Sequence, residues 1–335
     1  MMPIPRFGQM SRPRNVNQFI CASDLTVDRQ PANSFFLPRG RRFRIFLTTL
    51  DQKPKSQPET SGGGESLPPA ANVRLPECIQ VMADRVRWRV RPDLDSPALR
   101  GILEAPDAAL AASADRLAHS DLVTMAKLPP LAPGEPPLLI RRLNYGRFRH
   151  WFRDIFRPTR AERVFRFGWE LEVLGIPTAR VYATGVQRRL RYPVRAYLIT
   201  EFITRATTLH ELFEKQKTLS PVQLKNLANC LARLHRAGYS QRDLKAFNIL
   251  MVDQVHPWFI DLDGVQKFST VSDEVTARDL ARLSQEFLGQ PRQFQRLAPW
   301  FLKHYCQARG RTSDFRRFHD EVIRKLGPQC PASGR

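Results

Sequence analysis

Tyr239-Ser240-Gln241-Arg242-Asp243-Leu244-Lys245-Ala246-Phe247-Asn248-Ile249-Leu250, followed shortly by Phe259-Ile260-Asp261-Leu262-Asp263-Gly264, is the stretch on which the reading of this chain turns. An Asp, a Lys two residues on, an Asn five residues on and a further Asp closing an apolar run form the residue set that phosphoryl transfer requires. One group orients a hydroxyl, one cation meets the γ-phosphate, and two oxygen donors hold a metal.

What precedes this stretch supports it. Ser220 and Pro221 form a helix start, and Leu224, Leu227, Leu231 and Leu234 follow at spacings that place them on one face, with Gly238 as the stop. Such a helix would deliver Tyr239 to Asn248 as a loop on a rigid support. Its length suits one half of a helix-turn-helix, but the polar Gln-Arg-Asp-Leu-Lys after it is no recognition helix. Upstream, Val181 to Gly185 and Ala196 to Phe202 read as paired strands around a basic turn. The second leads into a hinge whose backbone, from Glu201 to Ile203, is placed to bind adenine.

A helix from about Arg160 to Leu174 stops at Gly175, ahead of Ile176-Pro177. Before it, Arg141 to Arg166 is the most basic part of the chain, with Phe148, Trp151, Phe152, Ile155 and Phe156 at helical spacing among the arginines. An amphipathic helix packing its aromatic face is one reading, and a surface that meets anionic lipid or a phosphorylated glycan is the other. Nucleic acid is not expected, because no binding motif accompanies the charge. Val86 to Val90, Leu122 to Leu128 and Leu138 to Leu143 alternate as strands, the last two forming a hairpin around a Pro-rich loop. Residues 1–72 mix Pro, Arg, Gln and Ser and end in a Ser-Gly-Gly-Gly linker, so a disordered or mobile segment is expected there, with Met82 as a candidate true start.

Length and composition set outer bounds. A chain of 335 residues with 42% hydrophobic content can bury a core in two lobes. The 53 basic against 32 acidic residues leave a formal charge of +21, which calls for an anionic partner. Five cysteines, odd in number and with no Cys-x-x-Cys pair, suit a reduced compartment and no metal framework. No apolar run approaches the roughly 18 residues of a spanning helix, and the N-terminus lacks a signal-peptide core, so a cytoplasmic protein, peripheral at a membrane surface, is expected.

The motifs carry a resemblance. Ser-Gln-Arg-Asp-Leu-Lys-Ala-Phe-Asn-Ile-Leu (240–250), Phe-Ile-Asp-Leu-Asp-Gly (259–264), Leu-Gly-Ile-Pro-Thr-Ala (174–179) and Ala-Arg-Asp-Leu-Ala-Arg-Leu (277–283) resemble the lipopolysaccharide core kinase family, which phosphorylates Kdo or heptose sugars on a protein-kinase-like fold. The resemblance spans roughly residues 84–325. It implies an α+β, bilobal fold with a small strand-rich N-lobe over 84–202 and a mainly helical C-lobe over 203–326, followed by a tail at 327–335. It implies ATP and magnesium as cofactors and a lipid-linked sugar as acceptor, at the inner membrane.

Gln241-Arg242-Asp243 stands where protein kinases have His-Arg-Asp, and Asp261-Leu262-Asp263 where they have Asp-Phe-Gly. The resemblance thereby implies Asp243 as the group that orients or accepts the hydroxyl proton, Lys245 as the phosphoryl cation, and Asn248 and Asp261 as metal ligands. Asp263 is either a further contact or structural, and Asp279 is the buried Asp that props the loop. Arg141 takes the place of the nucleotide-binding lysine, with Lys127 as the lesser alternative, and its glutamate partner is Glu162, Glu170 or Glu172. No Gly-x-Gly-x-x-Gly loop is present, so the turn at Ala118 to Asp121 is expected to cover the phosphates.

Only 18 positions separate Asp261 from Asp279, and no Ala-Pro-Glu lies between them. A glycan or small substrate therefore fits better than a protein. Two other readings remain open on the sequence: a soluble small-molecule kinase of the aminoglycoside or choline type, and a pseudokinase that binds an anionic surface.

Overall fold

A computed structural model describes residues 73–145, 157–287, 291–311 and 315–326. The N-terminal segment 1–72, the aromatic and basic residues over 147–156 and the tail 327–335 lie outside the described residues.

The described chain is a mixed α/β protein. Its first part is a seven-stranded antiparallel sheet in the order β1-β2-β6-β7-β5-β4-β3. The strands are β1 (Ile79–Ala83), β2 (Val86–Val90), β3 (Arg116–His119), β4 (Val123–Leu128), β5 (Leu138–Asn144), β6 (Val181–Arg189) and β7 (Tyr192–Glu201). Two short helices, α1 (Pro97–Glu104) and α2 (Pro106–Ala112), cover one face, and α3 (Arg160–Val173) crosses the other. Each of the first two begins with Pro at its first turn, where a missing N–H costs nothing.

On β2 the alternation is complete. Val86, Trp88 and Val90 are buried against α1 and α2, while Arg87 and Arg89 point away. The hairpin of β4 and β5 has the Pro-rich loop that the sequence predicts, with Leu128 opposite Leu138. Beyond the prediction, β1 extends the sheet upstream of residue 84, so Met82 lies inside a paired strand, and Val73, Leu75 and Cys78 pack against the core. The paired strands expected at 181–185 and 196–202 run longer and meet in a two-residue turn.

The second part is helical. After β8 (Ala206–Thr208) come α4 (Leu209–Gln216) and α5 (Pro221–Arg236). Helix α5 starts with a capping box in which Ser220 and Gln223 satisfy each other's backbone N–H groups, and Leu224, Leu227, Leu231 and Leu234 are all buried. It runs straight into β9 (Tyr239–Gln241). Strands β10 (Ile249–Val252) and β11 (His256–Phe259) form a hairpin that β8 extends, and β12 (Val265–Lys267) pairs with β9. Helices α6 (Asp273–Ser284), α7 (Pro291–Ala308) and α8 (Phe315–Leu326) close the core beneath.

Candidate active site

The two stretches singled out in the sequence come together as neighbouring loops, one after β9 and one after β11. Backbone pairing holds them side by side: Val265 sits opposite Gln241, Arg242 N donates to Gly264 O at 3.1 Å, and Ile260 N donates to Asn248 O at 3.2 Å. Gly264 is required for the approach. A Cβ there would lie 2.5 Å from Gln241 Oε1 and 3.2 Å from the Asp243 backbone nitrogen.

The loop after β9 is hung on one buried carboxylate. Asp279, on α6, has 0% exposure and accepts from Ser240 Oγ at 2.5 Å and from Gln241 N at 3.1 Å. His235, at the end of α5, lies 3.5 Å from the same oxygen, and Arg278 meets the other at 3.2 Å. Burial pushes the His235 imidazole below its ordinary value, against the pull of Asp279. The ring is therefore neutral and shares a 2.6 Å hydrogen bond with Tyr305 Oη. Asp279 thus has the propping position expected of it. Gln241, which the sequence reading treated only as a substitute for histidine, donates from Nε2 to the Asp261 carbonyl and ties the two loops together.

Asp243 and Lys245 face one another, Lys245 Nζ lying 3.1 Å from the carboxylate. A second cation, Arg282 of α6, reaches the same carboxylate at 3.4 Å. Asn248 Nδ2 donates to the Asp243 carbonyl at 2.9 Å, so its amide presents Oδ1 as an oxygen donor. Asp261 is buried, and burial raises its carboxyl above the ordinary value while the Arg141 charge opposes the rise. A buried carboxylate beside an amide oxygen is a hard-oxygen pair. Two protein ligands of this kind suit magnesium, which keeps waters and substrate phosphates as its other ligands.

Above these loops, between β7, β5 and the loop after β11, opens a narrow cleft. Leu117, Met125, Leu198, Leu250 and Ile260 supply apolar walls, and Arg141, Glu201 and Ile203 are all on its lining. Arg141, on β5, faces the carboxylates of Asp261 and Asp263. Burial brings its guanidinium down to about 10, which leaves it charged at neutral pH. Lys127 lies instead over the ring of Phe202, 5.0 Å from its centre.

The three candidate glutamates have other partners. Glu162 caps α3 through Thr159 and faces Arg89 and Arg188, Glu170 accepts from Tyr239 Oη at 2.7 Å, and Glu172 pairs with Arg91 and Arg180. The link from α3 to the site runs through cations. Arg163 Nη2 lies 2.7 Å and Arg160 Nε 3.4 Å from Asp263. Asp263 is thus held by the arginines at the start of α3, which the sequence shows only as bulk charge. The Gly-Ile-Pro-Thr run positions the loop after β11: Phe259 N donates to Pro177 O at 3.0 Å and Thr178 Oγ1 to Phe259 O at 2.8 Å.

Fold and site together define a mixed α/β protein in which two hydrogen-bonded loops carry Asp243, Lys245, Asn248 and Asp261 next to a cleft lined by Arg141. Residues 141–305 match the model of the lipopolysaccharide kinase (Kdo/WaaP) family. The chain is similar to the 3-deoxy-D-manno-octulosonic acid kinases of two Vibrio vulnificus strains, YJ016 and CMCP6, each 28% identical over 138 residues. Those alignments cover 41% of this chain and 56% of the relatives, so the chain spans little more than half the length of the curated relatives it matches. Among solved structures, WaaP in complex with acyl carrier protein superposes with a TM-score of 0.49 at 16% identity, over 71% of this chain and 98% of that one.

Proposed function

We propose that this protein transfers the γ-phosphoryl group of ATP to a sugar hydroxyl of a lipid-linked glycan such as lipopolysaccharide core. In this reading it is a bilobal, protein-kinase-like enzyme working at the cytoplasmic face of the inner membrane. The observation that carries the reading is the meeting of Asp243, Lys245, Asn248 and Asp261 on two hydrogen-bonded loops beneath a cleft lined by Arg141.

In the reaction, a bond forms between the acceptor oxygen and the γ-phosphorus while the bond from that phosphorus to the β–γ bridging oxygen breaks. Asp243 orients the attacking hydroxyl and accepts its proton. Lys245, 3.1 Å from Asp243, lies where charge develops on the transferring group and offsets it. Asn248 and Asp261 would hold magnesium, which would supply positive charge against the nucleotide phosphates. Arg141 meets the nucleotide phosphates from the sheet side. The backbone of Glu201 and Ile203 receives the adenine at the apolar end of the cleft.

The short path from Asp261 to Asp279 leaves no platform for a peptide, which favours a glycan acceptor. The activity named for the Vibrio relatives makes a 3-deoxy-D-manno-octulosonic acid residue the first acceptor to test. The test is nucleotide binding set against turnover. Asp243→Ala abolishes phosphotransfer to lipopolysaccharide core but keeps the rise in melting temperature with Mg-ATP, whereas Asp261→Asn loses both. Loss of the thermal shift in Asp243→Ala would show that Asp243 serves nucleotide binding or folding rather than the acceptor.

A further inference from the structure

The tip of the β6–β7 hairpin breaks a local rule and gains nothing in the fold for it. Arg189 pairs with Tyr192, so the turn consists of Leu190 and Arg191 alone, with φ of +48° and +69°. Two residues in the left-handed region are the signature of the tight turn that favours Asn, Asp and Gly. The turns Asp84-Arg85 and Asp253-Gln254 have the same pair of positive φ values, and both place Asp first, the side chain that tolerates this backbone. Only the β6–β7 tip, among these three, puts an aliphatic residue there. Leu190 is not buried in return: it is 93% exposed.

What surrounds it is cationic. Arg188, Arg189 and Arg191 are exposed about the leucine, and Arg188 Nη1 braces the tip by donating to Arg191 O at 2.9 Å. Strand register brings the β1–β2 turn to the same end of the sheet, with Arg87 opposite Val186 and Met82 opposite Arg87. Exposed Arg85, Arg87 and Met82, the last 68% exposed, therefore share this rim. An exposed leucine alone is ordinary. A leucine held in a strained turn at the apex of five arginines is a shape matched to one kind of surface, apolar beneath a layer of phosphates.

We infer that this end of the sheet docks on an anionic bilayer, Leu190 entering the headgroup layer while Arg189 and Arg191 take lipid phosphates and Arg188 braces the turn. The inference deepens the proposed function by naming how the protein meets a lipid-linked acceptor. Its test omits nucleotide, so that failure here is separable from failure of phosphotransfer. The full chain is sedimented with phosphatidylcholine vesicles with and without phosphatidylglycerol. The wild type binds the anionic vesicles, and L190N/R191G binds them about ten-fold more weakly through loss of one charge and the apolar anchor. Its melting temperature stays level or rises, because Asn-Gly is the pair this turn prefers. Val222→Asn, at an apolar site on α5 that is 57% exposed, leaves binding unchanged. Wild-type binding by L190N/R191G, an equal loss in Val222→Asn, or equal binding to neutral vesicles would each overturn the inference.

Discussion

At the scale of the residue, Asp261 holds an uncomfortable position that its proposed role explains. Burial raises its carboxyl above the ordinary 3.8, and the nearby Arg141 offsets this only in part. The native state therefore binds this proton more tightly than the unfolded chain. The contribution to stability is fully present below the unfolded value and is lost as pH rises through the raised folded value. At neutral pH the charged carboxylate is a net cost, which a bound cation would relieve. Asp261→Asn is accordingly expected to match or exceed the wild type in melting temperature without ligand, while losing the Mg-ATP shift and all turnover. A variant that simply unfolds would show that Asp261 serves the fold. At Arg141, whose guanidinium faces Asp261 and Asp263, Arg141→Ala is expected to weaken Mg-ATP binding about ten-fold or more, as for a desolvated phosphate contact. Isothermal titration reads this directly.

At the scale of the element, α3 is the strut between sheet and loops. Gly168 lets it lie close to β6, since a Cβ there would meet Val181 Cγ1 at 2.7 Å. Glu170 takes the Tyr239 hydroxyl at 2.7 Å and faces Lys267 at 3.4 Å, so the helix is keyed to β9 and β12, while Arg163 holds Asp263. Tyr239→Phe removes a hydrogen bond to a buried carboxylate and is expected to cost about 1.5–3 kcal/mol in chemical denaturation. Beneath the strut, α5 and α6 meet at His235 and Asp279. Because burial holds His235 below 6.5, its contribution is present above that value and is lost as pH falls through the depressed folded value. The melting temperature should fall as pH drops below the ordinary histidine range, and His235→Gln should flatten that fall.

The helices and their stops were legible because their causes are local. The Ser220 cap, the Leu224 to Leu234 stripe and Gly175 at φ +64° each write a boundary into a few residues. The set Asp243, Lys245, Asn248 and Asp261 was legible because its spacing lies within two short stretches. What escaped were partnerships across the chain. Arg163 and Asp263 are 100 residues apart, and nothing local in either marks the other. Glu162, nearest in sequence to Arg141 among the candidate glutamates, caps its own helix through Thr159. Gln241 could have been read as a tie, since an amide can donate where a loop must reach a carbonyl, but only the fold supplies the Asp261 carbonyl as its acceptor. The short helices α1 and α2 were hidden by length, each too brief for a periodic pattern to stand out.

At the scale of the whole molecule, the formal charge of +21 and the proposed anionic substrate, cofactor and surface form one argument. Attraction between exposed charges is screened over about 10 Å at 0.1 M salt. Binding to anionic vesicles is thus expected to weaken steeply with salt, and nucleotide binding in the cleft much less. No described helix is long and apolar enough to cross a membrane. The chemistry itself gives the most direct test of the account: incubation of the full chain with ATP labelled in its γ-phosphate and a lipopolysaccharide core lacking phosphate, followed by counting of label on the purified glycan. Label transferred by the wild type and absent with Asp243→Ala is the predicted result. An unlabelled glycan with the wild type, or equal labelling by Asp243→Ala, would contradict it.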